Sequence, residues 1–336
     1  MARPPNFKER RFEIAVEKRA VWKAPLLGAL SRIIVKEIYT LEDLRGWKRT
    51  KPPIRLGVIG HPVAHSLSPQ MQNAALRHGE IEMQYARFRI LPNELAEALQ
   101  KIRELDFAGV NLTVPHKIAG AGLVEDLDEE ARRIGAINTL AVRDGKLIGS
   151  NTDGVGFTRA IRSDFSVDLR DLRVMLVGAG GAGRAIAMQC AEAGCERLVI
   201  VNRDLEKARR LVAELQPAFA GPRVLGPVAR LEAVAWDERP LRFQLANTDL
   251  VVNATPLGLN ATDPAVLPAT LLAPHLMVYD TVYTRGRTPL VASAMEAGAR
   301  AANGLSMLLH QGARSFEIWF GRQAPLEVMR EALNAP

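Results

Sequence analysis

The stretch "RVMLVGAGGAGRAIAMQCAEAG" at residues 173–194 determines the fold that we predict for this chain. A short apolar run is followed directly by Gly-x-Gly-x-x-Gly and then by a run with helical spacing, which is the order that a dinucleotide-binding turn requires. Gly178 permits the tight turn, Gly180 lets the backbone approach a pyrophosphate, and Gly183 allows the helix to pack on the strand. The free N–H groups at the helix N-terminus would then bind the phosphates. The cofactor-binding residues predicted from this turn are Gly178, Gly180, Gly181, Ala182 and Gly183.

The end of the following strand, "RLVIVNR" at residues 197–203, decides which dinucleotide is bound. Asn202, Arg203 and Asp204 stand there, and Lys207 follows one turn later. Arg203 and Lys207 favour NADP because they can hold a 2′-phosphate, whereas Asp204 favours NAD because it would repel that phosphate. The residues themselves therefore leave both NADP and NAD open.

Strands and helices alternate outward from this turn in both directions. Runs at 54–60, 83–90 and 109–114 predict strands, runs at 92–105 and 123–135 predict helices, and the last helices are expected from about 290 to 333. Asp144-Gly145 between alternating residues predicts a hairpin. This alternation predicts an α/β protein with two α/β domains flanking a cleft and mainly parallel sheets.

Length, composition and charge limit the class of protein. The 336 residues favour two domains, and 48% hydrophobic with 24% charged residues exclude a disordered chain and a disulfide miniprotein. The net charge is +7, but residues 1–51 carry 13 Lys and Arg against 6 Asp and Glu, while the remainder carries 31 of each sign. The excess charge thus lies on an N-terminal arm, in which Thr40 is predicted to be a helix N-cap. No nucleic-acid partner is expected, because the body lacks a basic surface.

The cysteine and hydropathy patterns indicate a reducing location without a membrane anchor. Cys190 and Cys195 form neither a disulfide framework nor a metal-ligand spacing. No apolar run approaches the roughly 20 residues that span a bilayer. Residues 1–19 lack the apolar core of a signal peptide, and their three glutamates argue against a transit peptide. We therefore expect a cytoplasmic protein.

Polar side chains follow the predicted strands of the first half, at the strand ends where open α/β sheets bind ligands. Ser66 and Ser68 share a short loop, where two hydroxyls suit a carboxylate or a polyol. Lys117 follows a proline-restricted turn, and a partly desolvated lysine can act as acid or base near neutral pH. Asn138 and Asp153 come next, and a carboxylate beside a lysine orients it and couples to its titration.

Several of these residues also have a purely structural interpretation. Asp153 could cap a helix, Asn138 could satisfy buried backbone, and Arg203 could be a surface charge. His61 and His65 lack a second cluster at metal-ligand spacing, so no metal site is expected. The remaining features suit hydride transfer to or from a polyhydroxylated small acid, with the dinucleotide supplying the redox chemistry.

Taken in order, the motifs of the chain resemble the shikimate dehydrogenase family over residues 54–333. The stretches that carry the resemblance are "GHPVAHSLSPQMQN", "NLTVPHK", "GAINTL", "SNTDG", "GAGGAGRA", "VNRD", "VNATPLGL", "YDTVY" and "GLSMLLHQGARSFEIW". This family reduces 3-dehydroshikimate to shikimate with NADPH on the route to chorismate and the aromatic amino acids. The resemblance implies the same oxidoreductase activity, in a monomer or homodimer.

The resemblance also implies a domain plan. We expect a basic N-terminal extension at 1–53, a substrate-binding α/β domain at 54–157, and a Rossmann NAD(P)-binding domain at 158–307. A C-terminal helix at about 308–333 is expected to return to the substrate-binding domain.

Roles follow from the resemblance residue by residue. Ser66 and Ser68 match the carboxylate-binding pair, and Lys117 and Asp153 match the catalytic pair. Further substrate contacts are implied for Thr113, Asn138, Tyr283 and Gln311, and further cofactor contacts for Asn202, Arg203, Asp204, Lys207, Thr255 and Gly304.

The chain departs from the family pattern at three places. Gln72 replaces a usual histidine, for which we expect only a packing effect. Thr284-Arg285 replaces a usual proline in the loop over the nicotinamide. Asp204 replaces a usual threonine or serine, so we expect NADP to work and NAD to be used better than in a typical member.

Two alternatives remain open at this point. A quinate or quinate/shikimate dehydrogenase is the nearer one, and the pair of serines at 66 and 68 favours shikimate over it. The other is a non-catalytic sensor of shikimate or dinucleotide, against which the retention of both Lys117 and Asp153 argues, because a sensor needs no proton donor.

Overall fold

The structure is a computed structural model that describes residues 36–220, 229–260 and 262–335. Most of the predicted N-terminal arm, residues 1–35, lies outside the described residues. The described strands form two six-stranded sheets. No helix in the described part of the chain is long and apolar enough to cross a membrane.

The first sheet is mixed, and the loops and helices around it carry Ser66, Ser68, Thr113 and Asn138 of the predicted substrate-binding residues. Its elements are α1 (Leu41–Arg45), β1 (Ile54–Gly60), α2 (Ser68–His78), β2 (Gln84–Arg89), α3 (Leu95–Glu104), β3 (Gly109–Leu112), α4 (Lys117–Ala121), β4 (Asp126–Leu127), α5 (Glu129–Ile134), β5 (Thr139–Arg143) and β6 (Lys146–Ser150). The strand order is β2-β1-β3-β5-β6-β4. β1 runs parallel to β2 and β3, so the loops after β1 and β3 leave the same edge of the sheet. β5 is antiparallel to β3 and β6, with the predicted hairpin turn at Asp144-Gly145.

The second sheet is wholly parallel. Its elements and the helices that flank it are α6 (Asp153–Phe165), β7 (Arg173–Val177), α7 (Gly181–Glu192), β8 (Arg197–Asn202), α8 (Leu205–Phe219), β9 (Leu231–Ala235), α9 (Glu238–Ala246), β10 (Leu250–Asn253), β11 (Met277–Asp280), α10 (Pro289–Glu296), β12 (Arg300–Asn303), α11 (Leu305–Phe320) and α12 (Leu326–Asn334). The order β12-β11-β10-β7-β8-β9 is that of a Rossmann fold, with the switch point between β7 and β10. The prediction of two α/β domains is confirmed.

The apolar runs that predicted strands are buried on both faces of the sheets. Val174 and Leu176 face one hydrophobic cluster, while Met175 and Val177 face another. A continuous apolar run rather than an alternating one is what a parallel strand covered by helices on both sides requires.

α6 and α11 connect the two halves. They pack closely, since a Cβ placed on Gly156 of α6 would lie 3.0 Å from the backbone nitrogen of Gln311 on α11. At its far end α11 reaches the first sheet, where Trp319 Nε1 donates to Leu140 O at 3.0 Å. The implied domain boundary after residue 157 falls inside α6, and the domain limits stay a prediction.

Part of the predicted extension contributes to the first hydrophobic core. Tyr39, Leu41 and Leu44 are buried, and the Trp47 ring lies 5.5 Å from that of Phe107. Tyr39 exchanges backbone hydrogen bonds with β2. Thr40 is the N-cap residue of α1, as predicted, and its backbone N–H donates to Asp43 Oδ2 at 2.9 Å.

Two predicted elements differ in the structure, and two observed elements were not predicted. The run at 123–135 is helical only from Glu129, because the Asp128 side chain accepts from Ala131 N at 2.7 Å and so starts α5 there. Asp126 and Leu127 instead pair with β6. β12 interrupts the helices expected from about 290 to 333, because residues 300–303 pair with β11. β9 and α9 were not predicted.

Candidate active site

The carboxyl ends of strands from both sheets enclose a cavity of about 400 Å³. Every predicted catalytic and substrate-binding residue lines it: Ser66, Ser68, Thr113, Lys117, Asn138, Asp153, Tyr283 and Gln311. Five predicted cofactor-binding residues line it as well: Gly180, Gly181, Ala182, Thr255 and Gly304. The cavity therefore joins the two predicted sites into one.

Lys117 and Asp153 form a direct ion pair in this cavity. Lys117 Nζ donates to Asp153 Oδ2 at 2.6 Å, and the side chains are 15% and 4% exposed. Lys117 begins α4 and Asp153 begins α6, so both side chains start from rigid helical positions. The side chain of Asp153 does not cap α6, which sets aside its purely structural interpretation.

Asn138 connects the ion pair to the rest of the cavity wall. Its Nδ2 donates to Asp153 Oδ1 at 2.8 Å and to Gln311 Oε1 at 3.2 Å. Its Oδ1 accepts from Thr152 N at 2.8 Å. The amide thus holds the Asp153 carboxylate from the side opposite to Lys117, and it has a role beyond satisfying backbone groups.

Sequence reasoning missed the buried polar network behind Asn138. Asn111 Nδ2 donates to Asn138 O, Thr139 Oγ1 and Ser315 Oγ at 3.0–3.1 Å. Asn111 stands within the otherwise apolar strand β3, and that contrast is a signal that could have identified it.

Two tyrosines lie behind the serine pair at the other end of the cavity. Tyr283 lies near Ser66 and Tyr85 near Ser68, and burial raises the pKa of both phenols. Both hydroxyls therefore stay protonated at neutral pH. Tyr85, whose hydroxyl also donates to Asn111 Oδ1 at 2.8 Å, was not predicted.

The glycine-rich turn has the shape that a pyrophosphate needs. Gly178 has a φ of +110°, and a Cβ on Gly183 would lie 2.1 Å from Gly178 O, so neither position tolerates a side chain. A Cβ on Gly180 would meet nothing within 4 Å, so this side of the α7 N-terminus is open. The residues present therefore fit a dinucleotide at this turn.

The turn also contacts the ion pair. A Cβ on Gly181 would lie 2.9 Å from Lys117 Cβ, closer than such carbons pack. The glycine is thus what lets the cofactor turn lie directly against Lys117.

The residues predicted to select the dinucleotide lie at the end of β8. Asp204 caps α8 by accepting from Glu206 N at 3.1 Å and Lys207 N at 3.3 Å. Asn202 Oδ1 accepts from Ala179 N of the glycine-rich turn at 3.3 Å. Arg203 is exposed and makes no hydrogen bond to another described residue, which leaves its guanidinium available.

The other departures from the family pattern have local partners. Gln72 is fully buried, and its Nε2 donates to Gly312 O of α11 at 2.9 Å, as a packing role requires. The Thr284 carbonyl accepts from Asn303 Nδ2 at 2.9 Å, which ties the loop after β11 to the end of β12.

Comparisons with known proteins identify the same family throughout. Residues 58–140 match the "Shikimate dehydrogenase substrate binding domain", residues 160–224 "Shikimate / quinate 5-dehydrogenase" and residues 304–333 the "Shikimate 5'-dehydrogenase C-terminal domain". The chain is 41% identical to the shikimate dehydrogenase (NADP+) of Methanopyrus kandleri, over 83% of this chain and 94% of that protein. It is 43% identical to the Symbiobacterium thermophilum enzyme of the same name, over 83% and 93%. A Thermus thermophilus shikimate 5-dehydrogenase solved with NADP(H) and shikimate superposes with a TM-score of 0.70 at 35% identity, over 83% and 98% of the two chains.

Proposed function

The chain belongs to the shikimate dehydrogenase family, and we propose that it catalyses the reversible, NADP-dependent reduction of 3-dehydroshikimate to shikimate. The observation that carries the proposal is the Lys117–Asp153 ion pair, 2.6 Å long, in the cavity that the cofactor turn and the serine pair share. An acid–base pair at this place can reach the reacting oxygen of a substrate whose carboxylate lies at the serine end. The enzyme would supply shikimate on the route to the aromatic amino acids.

Substrate orientation comes from neutral donors at both ends of the cavity. The hydroxyls of Ser66, Ser68 and Tyr283 bind the carboxylate, and their spacing on two loops fixes one end of the ring. Thr113, Asn138 and Gln311 contact the ring hydroxyls near the ion pair. Holding the ring at both ends places the reacting carbon at one position, which lowers the entropic part of the barrier.

Lys117 moves the proton of the reaction. During reduction its ammonium Nζ protonates the ketone oxygen, and during oxidation its amine accepts the proton of the hydroxyl. Asp153 holds Nζ at hydrogen-bond distance and stabilises the ammonium form. Asn138 keeps the Asp153 carboxylate in the orientation that points Oδ2 at Nζ.

The glycine-rich turn and the end of β8 hold the dinucleotide. Gly178 to Gly183 and the α7 N-terminus take the pyrophosphate, Arg203 and Lys207 take the 2′-phosphate, and Thr255 and Gly304 lie toward the nicotinamide. When bound, the dinucleotide supplies or accepts the hydride. Asp204 allows NAD as a poorer cosubstrate, since it bears a negative charge beside the 2′-phosphate position.

A spectrophotometric assay at 340 nm tests the proposal. It gives kcat/KM for shikimate and for quinate, each with NADP and with NAD. We expect shikimate with NADP to be the best pair. Quinate ahead of shikimate would make the protein a quinate dehydrogenase, and binding of shikimate without turnover would make it a sensor. An NAD:NADP efficiency ratio below about 1:1000, which is roughly 4 kcal/mol of discrimination, would contradict the use of NAD.

The assembly and location are also proposals. We propose a monomer or homodimer without a nucleic-acid partner, because the body of the chain carries balanced charge. The two cysteines are free and buried in the structure, and they support a reducing, cytoplasmic location. Light scattering on the full chain measures the first, and fractionation of the source cells measures the second.

A further inference from the structure

A half-buried arginine lies behind the serine loop. Arg87 is on β2, and its Nε and Nη2 both donate to the backbone carbonyl of Ser66, at 3.1 and 2.7 Å. Within the described residues, the Arg87 guanidinium makes no ion pair with an acidic side chain and no hydrogen bond besides these two. A half-buried guanidinium without an anionic partner is unusual, because burial removes hydration that a partner normally replaces.

The positive charge of Arg87 is felt by several groups at this end of the cavity. It opposes the effect of burial on the pKa of Tyr85 and Tyr283 and adds to the effect of desolvation on His65, whose pKa is lowered. His65 lines the cavity, and because its pKa is lowered it is neutral at pH 7. Among the described residues, the Arg87 guanidinium is thus a positive charge that acts on the side chains around the serine pair.

The cavity wall itself offers little positive charge to a carboxylate. Of its lining residues, Lys117 carries the positive charge, and Asp153 already neutralises it at the opposite end. Ser66, Ser68 and Tyr283 are neutral donors, and a carboxylate that loses water to neutral donors alone is poorly compensated.

We infer that Arg87 is the electrostatic partner of the substrate carboxylate, acting through the Ser66 loop, and that it makes the site selective for carboxylate-bearing over neutral ring substrates. Arg87 lies outside the cavity lining and is a positioning residue. It holds the Ser66 peptide while its uncompensated charge lowers the cost of bringing a carboxylate to the serine hydroxyls. The inference rests on the proposed function, since that function places the carboxylate at Ser66 and Ser68.

The N-terminus of α2 contributes in the same direction. α2 begins at Ser68 and has 11 residues, so the positive end of its dipole lies at the serine pair. Substitution of Arg87 does not change that dipole, so a change in KM measured with the Arg87 variants reflects the guanidinium and not the helix.

The test compares shikimate with its methyl ester, which keeps the ring hydroxyls and lacks the charge. The variants are Arg87→Gln, Arg87→Lys and the control Arg89→Gln, whose residue is exposed on the same strand. We expect R87Q to raise KM for shikimate about tenfold, the equivalent of roughly one partly screened charge contact, with kcat within about twofold. In R87Q, KM for the ester should stay within about twofold of the wild-type value. R87K should have a KM for shikimate close to that of the wild type, and R89Q should match the wild type for both substrates.

A purely structural role gives a different result. If Arg87 only held the loop, R87Q would weaken acid and ester by the same factor, and that outcome overturns the inference, as does an unchanged KM for the acid. Thermal unfolding and NADP binding check that R87Q is folded, and Arg87→Met, which keeps the aliphatic stem, replaces it if it is not. A wild-type enzyme that turns over neither acid nor ester contradicts the proposed function itself. An active wild type with an unchanged acid-to-ester ratio in R87Q contradicts only the role of Arg87.

Discussion

The proposed proton transfer depends on two side chains, Lys117 and Asp153, which are the first residues of α4 and α6. Lys117→Ala removes the proposed proton donor, so kcat should fall by about 10²–10⁴-fold, with a smaller change in KM. Asp153→Asn keeps the shape of the carboxylate but not its charge, and it should also lower kcat. Steady-state kinetics with shikimate and NADP measure both effects.

A matched control for Lys117 is available on the same domain. Lys146→Ala removes an exposed lysine at the start of β6, away from the cavity lining, and should leave kcat unchanged. A Lys117→Ala enzyme with wild-type kcat would show that another group transfers the proton.

Gly180 and Gly181 are adjacent, but their surroundings differ. An alanine methyl at 181 would lie 2.9 Å from Lys117 Cβ, whereas one at 180 would meet no protein atom within 4 Å. Gly181→Ala should therefore displace Lys117 and lower kcat by about tenfold or more. Gly180→Ala should mainly raise KM for NADP, because its methyl fills space that the pyrophosphate needs. The same kinetic effect from both variants would contradict this division.

At the scale of single elements, α8 links cofactor choice to stability. Asp204 accepts two backbone N–H groups at the α8 N-terminus, so Asp204→Ala should lower the free energy of unfolding by about 1 kcal/mol. Asp204→Ser retains a capping oxygen and should lose much less. Both variants lose the negative charge and should shift the kcat/KM ratio toward NADP. Urea unfolding and the four-way assay measure the two effects separately, and an unchanged cofactor ratio in both variants would show that Asp204 does not influence the 2′-phosphate.

At the scale of the whole molecule, charged side chains join the first half to the Rossmann sheet between α5 and α7. Arg133 and Glu192 form an ion pair at 2.7 Å, and Arg184 Nε donates to Ile134 O at 2.8 Å. Glu130 lies beside them, and its Oε1 would be 3.1 Å from a Cβ on Gly154 at the start of α6. Burial, with additions from Asp128 and Glu192, raises the pKa of Glu130 from 4.5 to about 7.

This raised pKa predicts a pH dependence of stability. The folded protein holds the Glu130 proton more tightly than the unfolded chain, so stability is lost as the pH rises from 4.5 to about 7. Glu130→Gln lacks this titration. Its free energy of unfolding should therefore rise by about 1 kcal/mol relative to that of the wild type as the pH goes from 4.5 to 7.5, a value reduced for the solvent screening of a half-exposed carboxyl. Urea unfolding at both pH values measures it. Glu129→Gln, at the exposed neighbouring position, should show no such difference, and equal pH profiles for E130Q and wild type would contradict the prediction.

Local signals in the sequence were enough to predict much of the fold. The run at 54–60 and the run at 173–177 became strands with the predicted ends, because a continuous apolar run followed by glycine has few alternatives in an α/β chain. Asp144-Gly145 became the hairpin turn, since both residues adopt a positive φ. Prediction failed at β12, whose residues carry no strand signal and form a strand only because β11 offers an unpaired edge.

The sequence by itself determined the fold class, the glycine-rich turn and the residue types of the candidate site, because strand periodicity, turn glycines and polar side chains after strands are local in the chain. Only the tertiary structure decided what these residues contact. Asp153 hydrogen-bonds with Lys117 rather than capping its own helix. The absence of a side chain at Gly181 lets Lys117 pack against the glycine-rich turn, and the Arg87 guanidinium donates to the Ser66 carbonyl. These contacts join residues that are far apart in sequence, and they depend on how the strands are ordered and the helices packed, which no local pattern encodes.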